Sequence, residues 1–451
     1  MIVSAGGTPP AAKIIVTEGF KRMEHPLYQR ELADGVRIVG VQTSRFKTLR
    51  VSVSFAVQLC AQTAGVNALV ISMLQRSCAR YPDFTALNKR LAELYGAIVY
   101  ARITKQGDVQ VLTLYISTVD DRFALEGEKL ADACAGLLCD MLFNPVTEGG
   151  LLPEQAVEME KRLLKEKIDS ELSDKRQYAL EQCEAAMCAG EPFGLSKYGK
   201  VSEIDAITPQ MATDAMKKLL RTAQVQINVI GSADAQAVGE RFRQAFEQLG
   251  RDYRPLPAPV FGQFSGTVRE QEEQLPVNQG KLVLGLRTGM ESPADHVYAN
   301  AVMTDIFGGG PYSRLFMNVR EKLSLCYYCS ARLTRQKGLI FVSSGVESEN
   351  AGKARAEILN QLQVMKDGRF EDSEFAASVK ALSDSARSMN DMPDYLDTWY
   401  TRQMTLDAVE TPEEYARQIS AVTREQVEQA ACSVALDTVY LLKPNEKEAQ
   451  S

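Results

Sequence analysis

A chain of 451 residues exceeds the roughly 250–300 that one hydrophobic core accommodates, so it holds at least two domains. Its 45% apolar and 24% charged residues are ordinary for a globular protein. The net charge of −7 argues against nucleic acid or an anionic membrane as the main partner, because both are held through clustered Lys and Arg.

Taken in chain order, Met1 to Lys13 lacks a charged stretch followed by an apolar one, which speaks against a secretory signal. No later stretch reaches the roughly 18 apolar residues of a membrane span. Arg50 to Phe55 alternates with period two, the pattern of a half-buried strand. Helical periodicity covers Phe84–Leu94, and Val109 to Ile116 is a β-rich run after a glycine turn at Gly107. Two long helical patterns follow, Asp120–Leu142 and Glu154–Met187. Thr208 is positioned to cap a helix leading to a strand at Val225–Val229.

Arg251 to Gln279 holds four prolines and the polar run Arg269–Gln274, the composition of a linker. Strands are then expected at Lys281–Leu286 and Leu339–Val342, and helices at Asn350–Lys366 and Ser373–Met389. Gly308 to Gly310 lack the following Lys-Ser/Thr of a phosphate loop and read as a helix-ending turn. Cys326 and Cys329 form a lone Cys-x-x-Cys with no second ligand pair. On a strand, residues three apart face opposite ways, so a working pair is not expected. The nine cysteines, odd in number and scattered, fit reduced thiols in a cytoplasmic protein.

The chain repeats itself. Ile103-Thr104-Lys105-Gln106-Gly107 matches Leu333-Thr334-Arg335-Gln336-Lys337-Gly338, and the helix start at Thr208 matches that at Thr423, which leads to a strand at Val439–Leu442. The two offsets, Thr104 to Thr334 and Thr208 to Thr423, are 230 and 215 residues. Near-equal offsets of about half the chain indicate tandem copies of one domain, too long a period for a solenoid. Strands grouped with strands and helices with helices give an α+β class. The expected domains are 13–250 and 280–446, joined by a linker at 251–279.

Specific stretches resemble the M16 peptidases, the family of insulinase, pitrilysin and the mitochondrial processing peptidase. Gly65 to Leu74 resembles that family's zinc helix, and Arg80-Tyr81-Pro82 with Leu91 to Ala97 its next turn and helix. Phe307 to Phe316 and Val319 to Tyr327 resemble its C-terminal signature. The resemblance implies two tandem M16-type (LuxS/MPP-like metallohydrolase) domains, each a β-sheet packed with helices, together forming a half-clamshell.

Active relatives carry His-x-x-Glu-His on the zinc helix. Two His at i and i+4 share one face and hold the metal, while the Glu serves as base. Here those five positions read Ala68-Leu69-Val70-Ile71-Ser72. Ala68 and Ser72 replace the imidazoles, and Ile71 replaces the base. Aligning the later ligand helix puts Lys167 at the distal ligand position, with Glu166 one residue before it. A cation there repels zinc, and a lone Glu166 cannot hold it. The chain's two histidines, His25 and His296, read as solvated or capping residues. No cofactor is therefore expected on this chain, and an autonomous metallopeptidase is disfavoured.

In active relatives an Arg and a Tyr seven residues later reach the bound peptide. Arg320 and Tyr327 match that spacing. Either they donate hydrogen bonds to a peptide carbonyl, or Arg320 pairs with a local carboxylate and Tyr327 fills the core. Some M16 enzymes are heterodimers in which a zinc-less subunit supplies the Arg/Tyr pair. The resemblance thus implies a non-catalytic subunit, paired with an M16 zinc peptidase of intact His-x-x-Glu-His, holding a peptide substrate in a shared chamber. The stretch Ala92–Ala97 and the degenerate zinc helix also resemble bacterial members linked to 5-aminopentanol modification of elongation factor P. The alternative is a scaffold or interaction protein of the same fold with no peptide role.

Overall fold

Two β-sheets carry the apolar strands, and they follow one strand plan. The computed structural model describes residues 27–406 and 408–445. His25, and the expected outer domain limits at 13 and 446, lie outside the described residues. The first sheet contains β1 (Leu27–Ala33), β2 (Val36–Gln42), β3 (Thr48–Gln58), β4 (Ile98–Gln106), β5 (Val109–Val119) and β6 (Gln224–Gly231), in the order β1-β2-β6-β3-β5-β4. The second contains β7 (Arg269–Leu275), β8 (Gly280–Arg287), β9 (Cys326–Thr334), β10 (Leu339–Val346) and β11 (Ala435–Pro444), in the order β7-β11-β8-β10-β9.

Without β1, the two orders superimpose strand for strand. β2 and β6 pair parallel, as do β7 and β11, and the remaining neighbours are antiparallel. The matched sequence segments fall on equivalent elements. Ile103–Gly107 ends β4 in one hairpin, and Leu333–Gly338 ends β9 in the other. Thr208 and Thr423 both cap helices, their hydroxyls accepting from the backbone N–H of Met211 and Gln426. Those helices feed the equivalent strands β6 and β11.

Three expected elements differ. The polar run Arg269–Gln274 of the linker is β7, an edge strand pairing with β11, while 251–268 carries no regular element among the described residues. The long pattern Glu154–Met187 divides into Glu154–Ser173 and Lys175–Met187. The break is Asp174, whose carboxylate accepts from the backbone N–H of Arg176 and Gln177 at 3.0 and 3.2 Å and so starts a new helix. The pattern Asp120–Leu142 becomes a short turn at Asp121–Phe123 and a helix from Leu130 to Phe143.

The strand β3 is buried on both faces rather than one. Leu49, Val51, Val53 and Phe55 join the main core under helices of the first half. The polar face, Arg50 and Ser52, meets helix Pro393–Thr401, which arrives from the second half of the chain. Asp397 on that helix is 0% exposed. It lies 3.1 Å from Arg50 Nε and accepts from Ser52 Oγ at 2.5 Å and Asn228 Nδ2 at 2.9 Å. Alternation therefore arose from a buried polar network, not from solvent.

The exchange is reciprocal. Helix Lys175–Met187 of the first half packs on the second sheet, where Ala179, Cys183 and Met187 join Val283, Phe341 and Tyr440 in one apolar cluster. Between the sheets the two hairpin tips meet. Gly107 has φ +56°, and a Cβ there would stand 2.8 Å from that of Gln336, so position and conformation both require glycine. Beside them Lys337, 1% exposed, reaches both Asp108 oxygens at 3.0 Å and Glu191 at 2.7 Å.

Candidate functional site

Helix Ala61–Leu74 is apolar nearly all round, the character of a buried helix. Ala68 is 0% and Ile71 1% exposed, Leu69 and Val70 are equally buried, and Ser72 is half-buried. None of these side chains offers a nitrogen or carboxylate. The neighbouring helix Glu154–Ser173 brings Lys167, whose Nζ lies 5.4 Å from the centre of the Tyr198 ring. Burial pulls the Lys167 ammonium below its ordinary value, with Glu171 opposing. Tyr198 Oη and Lys197 Nζ both donate to Glu171, at 2.8 Å each. The backbone carbonyl of Tyr198 closes on the zinc-type helix at Gly65, where a Cβ would be only 3.2 Å away. Glu166 points to solvent, 3.9 Å from Arg162. Glu160, almost fully buried on the same helix, is committed to Arg76 Nε at 2.7 Å. The residues present do not fit zinc. Among the described residues no three His, Cys, Asp or Glu side chains converge to hold a metal ion. His296 is solvent-exposed beside Asp295 at 3.3 Å.

The second-half signature builds a different surface. Helix Val297–Gly308 ends flush against β9, since a Cβ on Gly308 would lie 2.6 Å from the Ala331 nitrogen. The next turn, Leu315–Lys322, is wound as a π-helix, a form frequent at functional sites. Leu315 and Val319 anchor it in the core, and Met317 faces out. Arg320 lies on the same outer side, 4.6 Å from the Phe316 ring centre and 3.4 Å from Glu321 Oε1. Ser324, at φ +50°, turns the chain into β9. There Tyr327 is 75% exposed. Arg320 thus has a local carboxylate beside it, whereas Tyr327 does not fill the core.

Tyr327 stands at an irregularity that also corrects the expectation for the cysteines. Ser344 pairs with Cys329 and Gly345 with Tyr328, but Val346 pairs with Cys326, leaving Tyr327 as the extra residue of a β-bulge. Ser344 and Val346 are two apart on β10, so their partners Cys329 and Cys326 face the same side. Both pack against one apolar cluster, Cys329 buried and Cys326 half-buried. A hydrogen bond from Cys329 holds the Cys326 thiol below the usual range, against the effect of its burial, and the same bond with burial raises Cys329. Period-two counting could not show this, because the extra residue is defined by pairing with β10.

Between the sheets lies a cleft of about 1000 Å³, bounded by the edge strands β4 and β9 and by residues following helix Pro393–Thr401. Arg102, Arg332 and Arg402 line it. Composition gave no sign of these cations. The internal repeat was the available hint, since it set the ends of β4 and β9 as counterparts.

The family model described as the peptidase M16 inactive domain matches residues 206–382. The probable inactive metalloprotease YmfF of Bacillus subtilis (strain 168) is 30% identical over 414 residues, spanning 90% of this chain and 95% of that protein. The chain belongs to the M16 peptidase family. Among solved structures, a conserved protein from Enterococcus faecalis V583 is 25% identical with a TM-score of 0.82, over 93% of this chain and 99% of its own. An M16 inactive domain from Pseudomonas fluorescens, 16% identical, shares the fold with a TM-score of 0.74 over 93% and 98%.

Proposed function

We propose that this chain is the non-catalytic, zinc-less subunit of an M16 peptidase pair. It lends Arg320 and Tyr327 to a peptide bound against a partner that carries His-x-x-Glu-His and zinc. The exposure of Tyr327, 75% on a bulge beside the Arg320 helix, carries this reading. A large aromatic left in solvent, next to an Arg and with Met317 and Leu323 also exposed, is a surface awaiting a partner. The phenol O–H and the guanidinium both donate, so they suit a carbonyl oxygen that gains charge as a peptide bond is attacked. With no zinc ligand of its own, the chain contributes no attacking water. A role in 5-aminopentanol modification of elongation factor P rests on the sequence resemblance of Ala92–Ala97 and the zinc-type helix.

The test is co-expression with a zinc-bearing M16 subunit, size-exclusion chromatography and a peptide-cleavage assay of the complex. An interface on the order of 2,000 Å² or more is expected, as for permanent complexes. Tyr327→Phe and Arg320→Ala should each assemble normally and lower turnover by roughly 10²–10³, the scale of losing one oxyanion donor. Tyr327→Phe is the sharper variant, since it removes only the hydroxyl. A chain that stays monomeric beside the zinc subunit, or variants that assemble and cleave at the unaltered rate, would favour the scaffold reading.

A further inference from the structure

We propose that the cleft between the sheets is an anion site, built by Arg102, Arg332 and Arg402, and that its ligand is a carboxylate side chain of an extended, acidic peptide. Arg102 projects from the edge strand β4, Arg332 from the edge strand β9, and Arg402 follows helix Pro393–Thr401. The three come from separate elements of both halves and line one space. Arg102 donates to Thr398 Oγ1 at 3.0 Å and stands 3.5 Å from Asp397. That carboxylate is already shared with Arg50, Ser52 and Asn228. Arg332 and Arg402 have no carboxylate partner among the described residues. Burial first, and then the neighbouring Arg332 and Arg102, weaken the hold of Arg402 on its proton.

The carboxylates nearby do not pair with Arg332 or Arg402. Glu184 is held by Lys105 at 2.7 Å, Glu171 by Lys197 at 2.8 Å and Glu410 by Arg335 at 3.1 Å, while Asp174 caps its helix and Glu181 accepts from Gln177 Nε2. Among the described residues, seven Lys and Arg line this cleft against five Asp and Glu, and Arg332 and Arg402 are left without an ion-pair partner. Like charges so placed repel one another, and a bound anion removes the penalty. Guanidinium forks fit carboxylates with two parallel hydrogen bonds. The space of about 1000 Å³ lies at the upper end of ligand pockets and exceeds what a single ion needs. The choice of a peptide as the bearer of the carboxylate rests on the proposed peptide-contacting role.

Fluorescence anisotropy on the full chain without its partner separates the two readings. The probes are a labelled peptide with Glu at alternate positions and its Gln counterpart. The acidic peptide should bind at least about tenfold more tightly, and the preference should shrink as salt is raised. The double variant R332Q/R402Q should lose the preference while its melting temperature stays unchanged. Equal binding of the two peptides, or a preference that survives in the double variant, overturns the assignment. Inorganic phosphate that displaces the acidic peptide at equal concentration would make this a free-anion site and overturn the peptide as ligand. Should Tyr327→Phe slow a functioning heterodimer while no acidic preference is found, only this inference falls.

Discussion

Tyr327 and the two cysteines around it owe their positions to one extra residue in β9. The bulge turns the phenol outward and sets both thiols on the core side. A thiol whose proton is held less tightly gives more thiolate near neutrality, and thiolate is the reactive form. Cys326 should therefore alkylate at a lower pH than a free cysteine, with Cys134 and Cys139, both pushed up to about 12 by burial, remaining unreactive in the native chain. Iodoacetamide labelling across pH, resolved by peptide mass spectrometry, checks this. Cys329→Ala should move the Cys326 profile back toward that of a free thiol, because the donating S–H is removed. A Cys326 profile equal to a free thiol in the parent chain would show that the pair does not interact. At this scale, identity was readable and orientation was not. That Ala68, Ile71 and Ser72 offer neither an imidazole nor a carboxylate is plain from residue type alone. The facing of Cys326 depends on a pairing register that no local pattern encodes.

Among the elements, β3 and helix Pro393–Thr401 show how a strand of alternating polarity becomes wholly buried. Under that cover Arg50 is met by the carboxylates of Asp397 and Asp394. Asp397→Ala would leave that guanidinium partly unmatched and strip Ser52 of its acceptor, while Asn228 keeps Thr401 Oγ1. Breaking a buried pair by removing one partner costs about 3–5 kcal/mol. Chemical denaturation should show a loss of that size, with Asp394→Ala, on the half-exposed carboxylate, losing much less. Equal small losses in both variants would mean the network is relieved by water. The strand itself was legible from its period, and so were the capped helices at Thr208 and Thr423. The covering helix was not, since it lies more than 300 residues along the chain from the face it buries. The missed break at Asp174 had a local sign, an acidic residue able to cap, hidden inside an unbroken apolar periodicity.

At the level of the whole molecule, the duplication was the most legible feature, because two sequence matches at similar offsets fell on equivalent hairpins and equivalent helix–strand units. The contact between the copies was not legible. It centres on Lys337, which binds Asp108 of the first hairpin, Glu191 and the carbonyl of Val260. Lys337→Ala should destabilise the chain by about 3–5 kcal/mol, since Asp108 and Glu191 lose their common cation. Calorimetry should register it as a lower melting temperature with the two halves still unfolding together. If the variant instead melts like the parent, the cluster adds nothing to the join. Metal analysis belongs to this scale too. After exposure to zinc and desalting, the purified chain should retain less than one equivalent and should not cleave peptides alone. One tightly held zinc with chelator-sensitive cleavage would refute the zinc-less reading.

The traded helices have a consequence for how the chain could be divided. Each sheet is roofed on one face by a helix encoded in the other copy, Pro393–Thr401 over the first and Lys175–Met187 over the second. The protein is in this sense an obligate dimer of its own two repeats, written on one polypeptide. A cut in the irregular stretch 251–268 would produce two fragments, each lacking the other's roof, one baring the Arg50–Ser52–Asn228 face of the first sheet and the other the apolar Val283–Phe341–Tyr440 face of the second. Made separately, they should aggregate or stay unfolded. Made together, they should reassemble without a covalent link, as a split protein does, and elute as one species of the parent's size.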